Sequence, residues 1–363
     1  MPLTEQLAGV RSDVLIAPFT TFGVGGPARW FVTADTSADV ERAYRWVATS
    51  GADVLVLGGG SNVIVSDAGF AGLVMHIAVR GRTWTSEGQD VLLTAGAGEP
   101  WDAVVAECVA RGAAGLECLS GIPGTVGGTP IQNVGAYGQE VAGRIDHVRV
   151  FDSQAGECRT LSGGDCAFAY RTSRFKGADA GRFVICDVTF RLRAGPPTVT
   201  YPDIVRYMAE AGVSSPDIGD VRNAVLAVRR AKGMVIDPSD ADTRSVGSFF
   251  MNPVVSRADH DRVAIAAASQ PPAYPADGGG VKIPAAWLIE QSGFRRGDGE
   301  GAVGISTKHT LAIVNRGDAT ARDVLRFAAR IKQRVFDHFG IGLRPEPIFV
   351  GFGRDHDLDF LRS

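Results

Sequence analysis

Hydrophobic residues recur along the chain at two spacings, and each spacing predicts a different kind of element. Between Val40 and Val47 the apolar residues follow the three-to-four-residue spacing of a helix with one buried face. Ser37 can cap the start of this helix, and Gly51 can end it. The sequence therefore predicts an amphipathic helix over residues 37–50.

The same spacing predicts three further helices. They lie at Trp101–Cys108, at Asp220–Lys232, and between Thr320 and Gly340, where Thr320-Ala-Arg-Asp323 is close to a capping box.

Other stretches have the composition and period of strands. Val54–Leu57 is continuously apolar, which is typical of a strand covered on both faces. Between Phe183 and Arg193 apolar and more polar residues alternate, which predicts a strand with one buried face. Further strands are expected at 28–33, 63–67, 72–79, 91–97 and 144–151, and a connector rich in Pro and Gly at 271–284.

A glycine-rich stretch, GIPGTVGGTPIQNVGAYG at Gly121–Gly138, fits neither period. Six of its eighteen residues are Gly and two are Pro. Backbone that takes positive φ and lacks Cβ atoms can bring successive N–H groups close to an anion such as a pyrophosphate. Gln132, Asn133 and Tyr137 can add polar contacts. We interpret this stretch as a binding loop rather than a plain surface loop.

A second candidate phosphate loop, GGGSN at Gly58–Asn62, follows the strand predicted at 54–57. A dinucleotide fingerprint requires a helix after such a loop, whereas here a strand follows and neither the GxGxxG spacing nor a GK[ST] motif is present. GGGS alone is equally compatible with a hairpin turn.

Composition narrows the class of protein. The 363 residues are enough for two or three domains, and 45% hydrophobic residues with a net charge of −3 indicate a globular protein without the basic footprint of a nucleic-acid partner. Five cysteines without a CxxC pair suggest neither a disulfide framework nor a metal site. Neither a signal peptide nor an apolar run of spanning length is apparent, so we expect a cytoplasmic protein without a membrane partner or an evident obligate protein partner.

Six motifs in fixed order carry a resemblance to a known family. They are TTFGVGGPA, VLGGGSNV, GIPGTVGGTPIQNVGAYG, FAYRTSRFK, GSFFMNP and RPEPIFVG. Together they resemble the UDP-N-acetylenolpyruvoylglucosamine reductases over most of the chain.

This resemblance implies an α+β protein. Its FAD-binding fold has two subdomains, similar to that of the vanillyl-alcohol oxidase group, and a C-terminal α+β domain binds substrate. The expected division is 1–80 for the first subdomain, with the tail 344–363 returning to it, 81–232 for the second, and 233–343 for the substrate domain.

The implied activity is an NADPH-dependent step of peptidoglycan precursor synthesis. NADPH reduces non-covalently bound FAD, which reduces the enolpyruvyl ether of UDP-N-acetylglucosamine to UDP-N-acetylmuramate. The cofactor carries the hydride chemistry, so the protein must supply positioning, electrostatics and one proton.

Three residues match the family's catalytic positions. Arg171 matches the arginine that contacts the enolpyruvyl carboxylate, where a planar, permanently charged guanidinium suits the developing charge. Glu346 matches a glutamate that acts with this arginine or, when protonated, donates a hydrogen bond. Ser248 matches the serine that gives a proton to C2. From the residue types alone, Arg171 and Glu346 are ordinary surface charges and Ser248 is a turn serine.

Further residues are expected to hold ligands. FAD is expected at the two glycine-rich loops: Leu57, Gly58, Gly59, Gly60, Ser61 and Asn62, and Ser120, Gly121, Ile122, Pro123, Gly124, Gly127 and Gly128. Lys232, Asn252 and Gln291 stand where the family uses polar residues around substrate. Tyr201 matches the tyrosine of a lid loop found in one subclass.

Two departures from the family pattern stand next to these residues. Pro202 follows Tyr201 in place of a small flexible residue, and Pro347 follows Glu346 in place of Val. Two other classes of protein remain open: a flavin oxidase with the same FAD-binding fold, and a non-enzymatic module that binds a nucleotide sugar.

Overall fold

Contacts within the chain divide it into two units, each with its own hydrophobic core. The structure is a computed structural model that describes residues 7–197 and 199–363. Unit 1 takes in the chain up to Val14, Ala28–Gly60 and Ala71–Val235; unit 2 takes in Leu15–Pro27, Ser61–Phe70 and Ile236–Ser363.

Helices and strands alternate irregularly in both units. The helices are α1 (Ser37–Ser50), α2 (Trp101–Ala110), α3 (Pro202–Glu210), α4 (Ile218–Ala231), α5 (Arg257–Ala267), α6 (Ala285–Gln291), α7 (Ala321–Phe339) and α8 (His356–Arg362). The strands are β1 (Arg11–Leu15), β2 (Pro27–Ala34), β3 (Val54–Leu57), β4 (Val63–Val65), β5 (Phe70–Ile77), β6 (Arg82–Glu87), β7 (Asp90–Gly96), β8 (Ala113–Ala114), β9 (Gly135–Ala136), β10 (Gln139–Glu140), β11 (Ile145–Asp152), β12 (Glu157–Ser162), β13 (Phe183–Ala194), β14 (Ser245–Ser248), β15 (Val254–Val255), β16 (Tyr274–Pro275), β17 (Val281–Lys282), β18 (Gly299–Glu300), β19 (Val303–Ile305), β20 (Ala312–Asn315) and β21 (Ile348–Val350).

Unit 1 contains two large sheets and the small antiparallel pair β9 and β10. One has the order β1-β2-β5-β3, with β3 and β5 parallel. The other has the order β12-β11-β13-β7-β6, with β8 also pairing β13, and its pairings are antiparallel. Apolar side chains from the sheets pack with those of α1 and α2 in the larger core of this unit. A smaller cluster joins α3 to α4.

Unit 2 centres on the antiparallel sheet β14-β20-β19-β18, against which α7 packs its apolar face. Two smaller sheets accompany it: β15-β17-β16, and the parallel pair β21 and β4. Phe22 and Val24, from the TTFGVGG motif near the start of the chain, are buried in the core of this unit. The mixture of helices with mostly antiparallel strands confirms the α+β class.

Capping residues begin α1 and α7, and the N-cap of α1 lies one residue earlier than predicted. Thr36, and not Ser37, caps α1: its hydroxyl accepts the Asp39 N–H at 3.2 Å, and the Asp39 carboxylate accepts the Thr36 N–H at 2.8 Å. This reciprocal pair completes a capping box, which stabilises a helix by about 1 kcal/mol. The capping box predicted for α7 is confirmed at Thr320 and Asp323.

Two predictions of strand burial were wrong. β13 has buried residues on both of its faces between Val184 and Phe190, and these residues belong to the core of unit 1. In β3, the last strand of its sheet, only Leu57 is buried. Patterns of apolar residues report average burial, whereas a strand's position in its sheet depends on contacts distant in sequence.

The five cysteines are free, and none of the helices in the described ranges has both the length and the apolar character to cross a bilayer.

Candidate functional site

The two glycine-rich loops lie against each other in unit 1. A Cβ atom on Gly59 would come within 2.7 Å of the Gly124 Cα, and one on Gly58 within 2.8 Å of the Thr125 Oγ1. Approach this close between two backbones is possible only without side chains. The loops that were predicted separately from the sequence are therefore in direct contact, and we call this pair of loops the glycine cradle (Leu57–Gly60 with Ser120–Gly128).

Several cradle residues have left-handed backbone, as the sequence predicted. The φ angles are +60° at Gly60, +70° at Gly121 and +114° at Gly124. A Cβ on Gly128 would meet no protein atom within 4 Å. Left-handed turns can direct successive backbone N–H groups toward an anion.

Thr125 is a cradle residue that sequence reasoning missed. Its hydroxyl oxygen is buried and has no hydrogen-bond partner among the described residues. Leaving a buried hydroxyl unpaired costs about 1–3 kcal/mol, so such a group indicates a missing partner. The signal was available, because Thr125 lies in the GIPGTVGG motif.

A polar network fixes the start of the second loop. The Asp102 carboxylate, in the first turn of α2, accepts the Gly121 N–H at 2.6 Å and two hydrogen bonds from the Arg222 guanidinium at 2.7 and 2.8 Å. Burial works against ionisation of Asp102, but these hydrogen bonds and the charge of Arg222 outweigh it and lower the pKa of the carboxyl. An ionised Asp102 thus joins Gly121 to α2 and α4.

The second half of the glycine-rich stretch is held by its own side chains. The Asn133 amide donates to the Glu140 carboxylate at 2.8 Å and to the Ala169 carbonyl at 3.1 Å, and its oxygen accepts the Ala142 N–H at 3.1 Å. Asn133 is buried. The polar contacts expected of this residue are therefore made to the chain itself.

Arg171 lies at the tip of a tight turn in unit 1. Ala169 and Thr172 exchange backbone hydrogen bonds at 3.0 and 3.1 Å, which leaves Tyr170 and Arg171 as the two turn residues. The φ of Arg171 is +54°, a left-handed conformation that costs a non-glycine residue about 1–2 kcal/mol. Its guanidinium donates to the Gly135 carbonyl at 2.8 Å. Backbone strain at a charged residue is a feature of functional sites.

Tyr201 packs edge to face on Tyr137, with ring centroids 5.2 Å apart. Pro202 is the first residue of α3, a position at which the fixed φ of proline is favourable and its missing N–H is not needed. Lys232, at the end of α4, contacts the Asp203 carboxylate at 3.0 Å. Lys232 and the Tyr201 segment are thus brought together.

Ser248 and Glu346 lie on adjoining backbone segments of unit 2. Ser248 ends β14, and the next residue, Phe249, accepts the Glu346 N–H through its carbonyl at 2.9 Å. Ser248 is half-buried, and its hydroxyl has no hydrogen bond within the described part of the chain. The Ser248 hydroxyl is therefore not bonded to nearby backbone, as it would be in the turn serine that the residue type alone suggests.

Pro347 is compatible with the backbone around Glu346. The Glu346 carbonyl accepts the Asn62 side-chain amide at 3.3 Å, and the Ile348 N–H donates to the Asn62 carbonyl at 3.0 Å. The hydrogen bonds are made on either side of Pro347, whose position needs no N–H.

Asn252 and Gln291 both belong with α6. The Asn252 side-chain oxygen accepts the N–H of Ala285, the first residue of this helix, at 2.9 Å, whereas Gln291 is its last residue and is exposed. The capping bond leaves the Asn252 amide nitrogen available for other contacts.

Two family models match the chain. Residues 28–162 match an FAD binding domain, and residues 237–350 match the C-terminal domain of UDP-N-acetylenolpyruvoylglucosamine reductase.

Relatives match over nearly the whole length. The UDP-N-acetylenolpyruvoylglucosamine reductase of Thermobifida fusca is 46% identical over 93% of this chain and 97% of its own. The enzyme of that name from Streptomyces coelicolor is 47% identical over 93% of this chain and 90% of its own. Among solved structures, that of UDP-N-acetylenolpyruvylglucosamine reductase from Thermus caldophilus aligns with a TM-score of 0.65 at 27% identity, covering 94% of this chain and 100% of that one.

Proposed function

Since this chain belongs to the UDP-N-acetylenolpyruvoylglucosamine reductase family, we propose that Arg171, Ser248 and Glu346 carry the proton and charge chemistry of its reaction. The reaction reduces the enolpyruvyl ether of UDP-N-acetylglucosamine in peptidoglycan synthesis, with FAD as cofactor and NADPH as reductant. When bound and reduced by NADPH, FAD would supply a hydride to C3 of the enolpyruvyl group. The side chains must then stabilise charge at C2 and deliver a proton there.

The glycine cradle has the features that FAD requires. Its left-handed turns and the unpaired Thr125 hydroxyl fit the phosphates of a non-covalently bound dinucleotide. We assign to FAD the residues expected from the sequence and add Thr125: Leu57, Gly58, Gly59, Gly60, Ser61, Asn62, Ser120, Gly121, Ile122, Pro123, Gly124, Thr125, Gly127 and Gly128.

Arg171 is assigned to the substrate carboxylate. Negative charge that forms at C2 delocalises into this carboxylate, and a fixed guanidinium stabilises it most when it is oriented before the reaction. The strained turn and the hydrogen bond to Gly135 hold Arg171 in one orientation. Strain of this kind is explained if orientation matters more than local stability.

Ser248 is assigned as the proton donor to C2. A hydroxyl is a weak acid, but the proton is needed only after hydride addition, when the carbon is strongly basic. The observation that carries this assignment is the half-buried hydroxyl of Ser248, which is free of protein partners within the described residues. A hydroxyl used for structure would be bonded.

Glu346 is assigned to assist at the same end of the substrate. Its backbone is bonded to Phe249, the neighbour of Ser248, so the two side chains leave adjoining segments. Glu346 either acts with Arg171 or, when protonated, donates a hydrogen bond to the developing charge.

Substrate contacts are assigned to Tyr201, Lys232, Asn252 and Gln291. Lys232 carries the positive charge that a diphosphate needs, and Tyr201 offers an exposed ring at the start of α3. We place the chain in the subclass with a tyrosine lid on this basis. Calorimetric titration of alanine variants with the UDP-sugar substrate tests each contact.

We further propose a cytoplasmic enzyme whose partners are its small-molecule ligands, without nucleic acid, membrane or an obligate protein partner. The net charge of −3 supports the first of these exclusions. We propose two FAD subdomains, at 1–80 with 344–363 and at 81–232, and a substrate domain at 233–343. Cell fractionation tests the cytoplasmic location, and limited proteolysis tests the domain boundaries.

Separate measurement of flavin reduction and flavin reoxidation tests the role of Ser248 as proton donor. In the Ser248→Ala variant NADPH should reduce the flavin at nearly the parent rate, whereas reoxidation by the enolpyruvyl substrate should slow by about 10²-fold or more, the usual scale for a lost general acid. Ser248→Cys keeps an exchangeable proton and should recover part of the loss. Ser256→Ala, which removes the N-cap of α5, is the matched control. Anaerobic stopped-flow absorbance that shows both half-reactions unchanged in Ser248→Ala would exclude Ser248 as the donor.

A further inference from the structure

Strand β14 carries one extra residue just before Ser248. Ser245 lies opposite Val314 and Ser248 lies opposite Ala312 on β20. The step is three residues on β14 but only two on β20. This difference defines a β-bulge, an irregularity that can redirect a side chain and often occurs next to active sites.

The bulge decides the face on which the Ser248 hydroxyl lies. Val314 and Ala312 are two residues apart and share a face of the sheet, and residues directly opposite one another across two strands share a face as well. Ser245 and Ser248 therefore lie on the same face, although they are an odd number of residues apart. Loss of the extra residue from the bulge would turn Ser248 to the other face.

A left-handed glycine and two hydrogen bonds hold the bulge. Gly247 has φ +75°, a left-handed conformation suited to glycine, and its N–H donates to the Ser245 hydroxyl at 3.1 Å. The Thr21 hydroxyl donates to the Ser245 carbonyl at 2.8 Å. Thr21 thus acts on the bulge from a segment 224 residues earlier in the chain.

The segment around Thr21 is itself fixed to the second strand of the ladder. The Phe22 carbonyl accepts the buried Asn315 side-chain amide at 2.9 Å, and the Asn315 N–H donates to the Arg244 carbonyl at 2.9 Å. Phe22 is fully buried. A rigid segment can hold the Ser245 carbonyl in one place, which a mobile one cannot.

Thr20, the residue before Thr21, is a threonine whose hydroxyl makes only local hydrogen bonds. Its hydroxyl donates to the carbonyls of Ala17 and Val24 and accepts the Gly23 N–H, so its bonds stay within its own turn. The Thr21 hydroxyl bonds outside that turn, to β14. The adjacent pair therefore supplies a matched comparison.

We propose that Thr21 and Ser245 are positioning residues that aim Ser248 by fixing the bulge in β14. This inference rests on the proposed role of Ser248 as proton donor. It assigns a function to the TTFGVGG motif, which none of the proposed ligand contacts explains.

The first experiment compares Thr21→Val with Thr20→Val, two isosteric changes that each remove one hydroxyl. Thr21→Val should slow flavin reoxidation by the enolpyruvyl substrate about 10-fold, within the ~10²-fold that a 1 Å misplacement can cost. Flavin content and reduction by NADPH should stay at parent values. Thr20→Val should leave the ratio of the two half-reactions unchanged, and Thr21→Ser, which keeps the hydroxyl, should restore reoxidation.

Hydrogen exchange gives a readout that is independent of activity. Amides of residues 245–249 should exchange faster in Thr21→Val than in the parent, and at the parent rate in Thr20→Val, because only the first change releases the bulge. Unchanged exchange in Thr21→Val, or equal slowing of both half-reactions, would overturn the positioning role.

A double-mutant cycle separates this inference from the proposed function. If Thr21 acts through Ser248, Thr21→Val should add less than about 2-fold to the slowing already caused by Ser248→Ala. Equal slowing by Thr21→Val in both backgrounds would overturn the inference and leave the proton donor in place. Normal reoxidation in Ser248→Ala alone would instead remove the donor, and the inference with it.

Discussion

At the scale of single residues, the left-handed glycines of the cradle could be predicted from the sequence, whereas the left-handed backbone of Arg171 could not. Motif order predicts Arg171, Ser248 and Glu346 as site residues, because these residue types stand at fixed places in FAYRTSRFK, GSFFMNP and RPEPIFVG. The left-handed φ of Arg171 could not be predicted, since arginine has no preference for that region and the turn is imposed by its neighbours. Thr125 was missed although it lies in GIPGTVGG, because motif membership does not show that its hydroxyl lacks a partner among the described residues.

The strained backbone of Arg171 should affect stability, whereas its charge should affect activity, and two substitutions can separate these effects. Arg171→Gly and Arg171→Ala both remove the guanidinium, but only glycine adopts φ +54° without strain. Arg171→Gly should therefore be more stable to urea unfolding than Arg171→Ala by about 1 kcal/mol. Both variants should reoxidise slowly with the enolpyruvyl substrate, because both lack the charge.

The Ala variant is the control for every lost side-chain contact, so the difference between the two variants reports the backbone alone. Equal unfolding free energies for the Gly and Ala variants would show that the turn at 169–172 relaxes and that Arg171 is not held under strain.

At the scale of elements, residues typical of helix ends predicted the ends of helices more reliably than patterns of apolar residues predicted the burial of strands. Gly51 and Gly340 end α1 and α7 in left-handed conformation, as predicted. Pro202, which follows Tyr201 in place of a small flexible residue, is the first residue of α3. The short helices α5 and α6 and the strands β6 and β12 were not predicted, because their sequences lack a clear period. The contact between the two glycine loops also could not be predicted, since it joins residues about 65 positions apart and depends on tertiary structure.

That contact predicts which glycine substitution removes flavin. A methyl group on Gly59 would lie 2.7 Å from the Gly124 Cα, so Gly59→Ala must push the two loops apart. FAD content of the purified protein should fall, and the dissociation constant for added FAD should rise about 10-fold or more, as expected when a preorganised site is displaced. Gly143→Ala is the control, because a Cβ there meets no atom within 4 Å. Parent-like flavin binding by Gly59→Ala would contradict the cradle as described.

A buried ion pair predicts how the sheet of β11, β12 and β13 responds to acid. Asp152 is fully buried and receives hydrogen bonds from Arg182 at 2.7 and 3.0 Å, which, despite the opposing effect of burial, hold the pKa of its carboxyl far below the usual range. A lowered folded pKa contributes stability above the unfolded value of about 3.9, and this contribution is lost as the pH falls through the folded pKa.

Asp152→Asn should therefore lower the free energy of unfolding at pH 7 by about 2 kcal/mol, the usual size for hydrogen bonds to a charged group. The gap between variant and parent should narrow below about pH 4. Urea unfolding across the pH range measures it, with Glu157→Gln, an exposed carboxylate on the next strand, as the control. A gap that stays constant down to pH 2 would contradict the ion-pair explanation.

At the scale of the whole molecule, the class and the activity followed from motif order, whereas the grouping of segments did not. The α+β class, the FAD-binding domain and the family were all predicted from the sequence, and the family models and relatives confirm them. The membership of Leu15–Pro27 in the unit that contains the C-terminal residues, with Phe22 and Val24 in its core, could not be predicted, because nothing in TTFGVGG specifies which distant strand it will meet. Non-local contacts of this kind are visible only in three dimensions.

The flavin spectrum distinguishes an FAD enzyme that reduces an enolpyruvyl ether from a binding module and from an oxidase. The purified protein should be yellow, NADPH should bleach it in the absence of oxygen, and anaerobic addition of the enolpyruvyl ether of UDP-N-acetylglucosamine should restore the absorbance with one equivalent of UDP-N-acetylmuramate formed. A colourless protein that takes up no added FAD, as expected of a binding module, would contradict the account. So would a bleached flavin that oxygen reoxidises rapidly and the enolpyruvyl substrate does not, as expected of an oxidase.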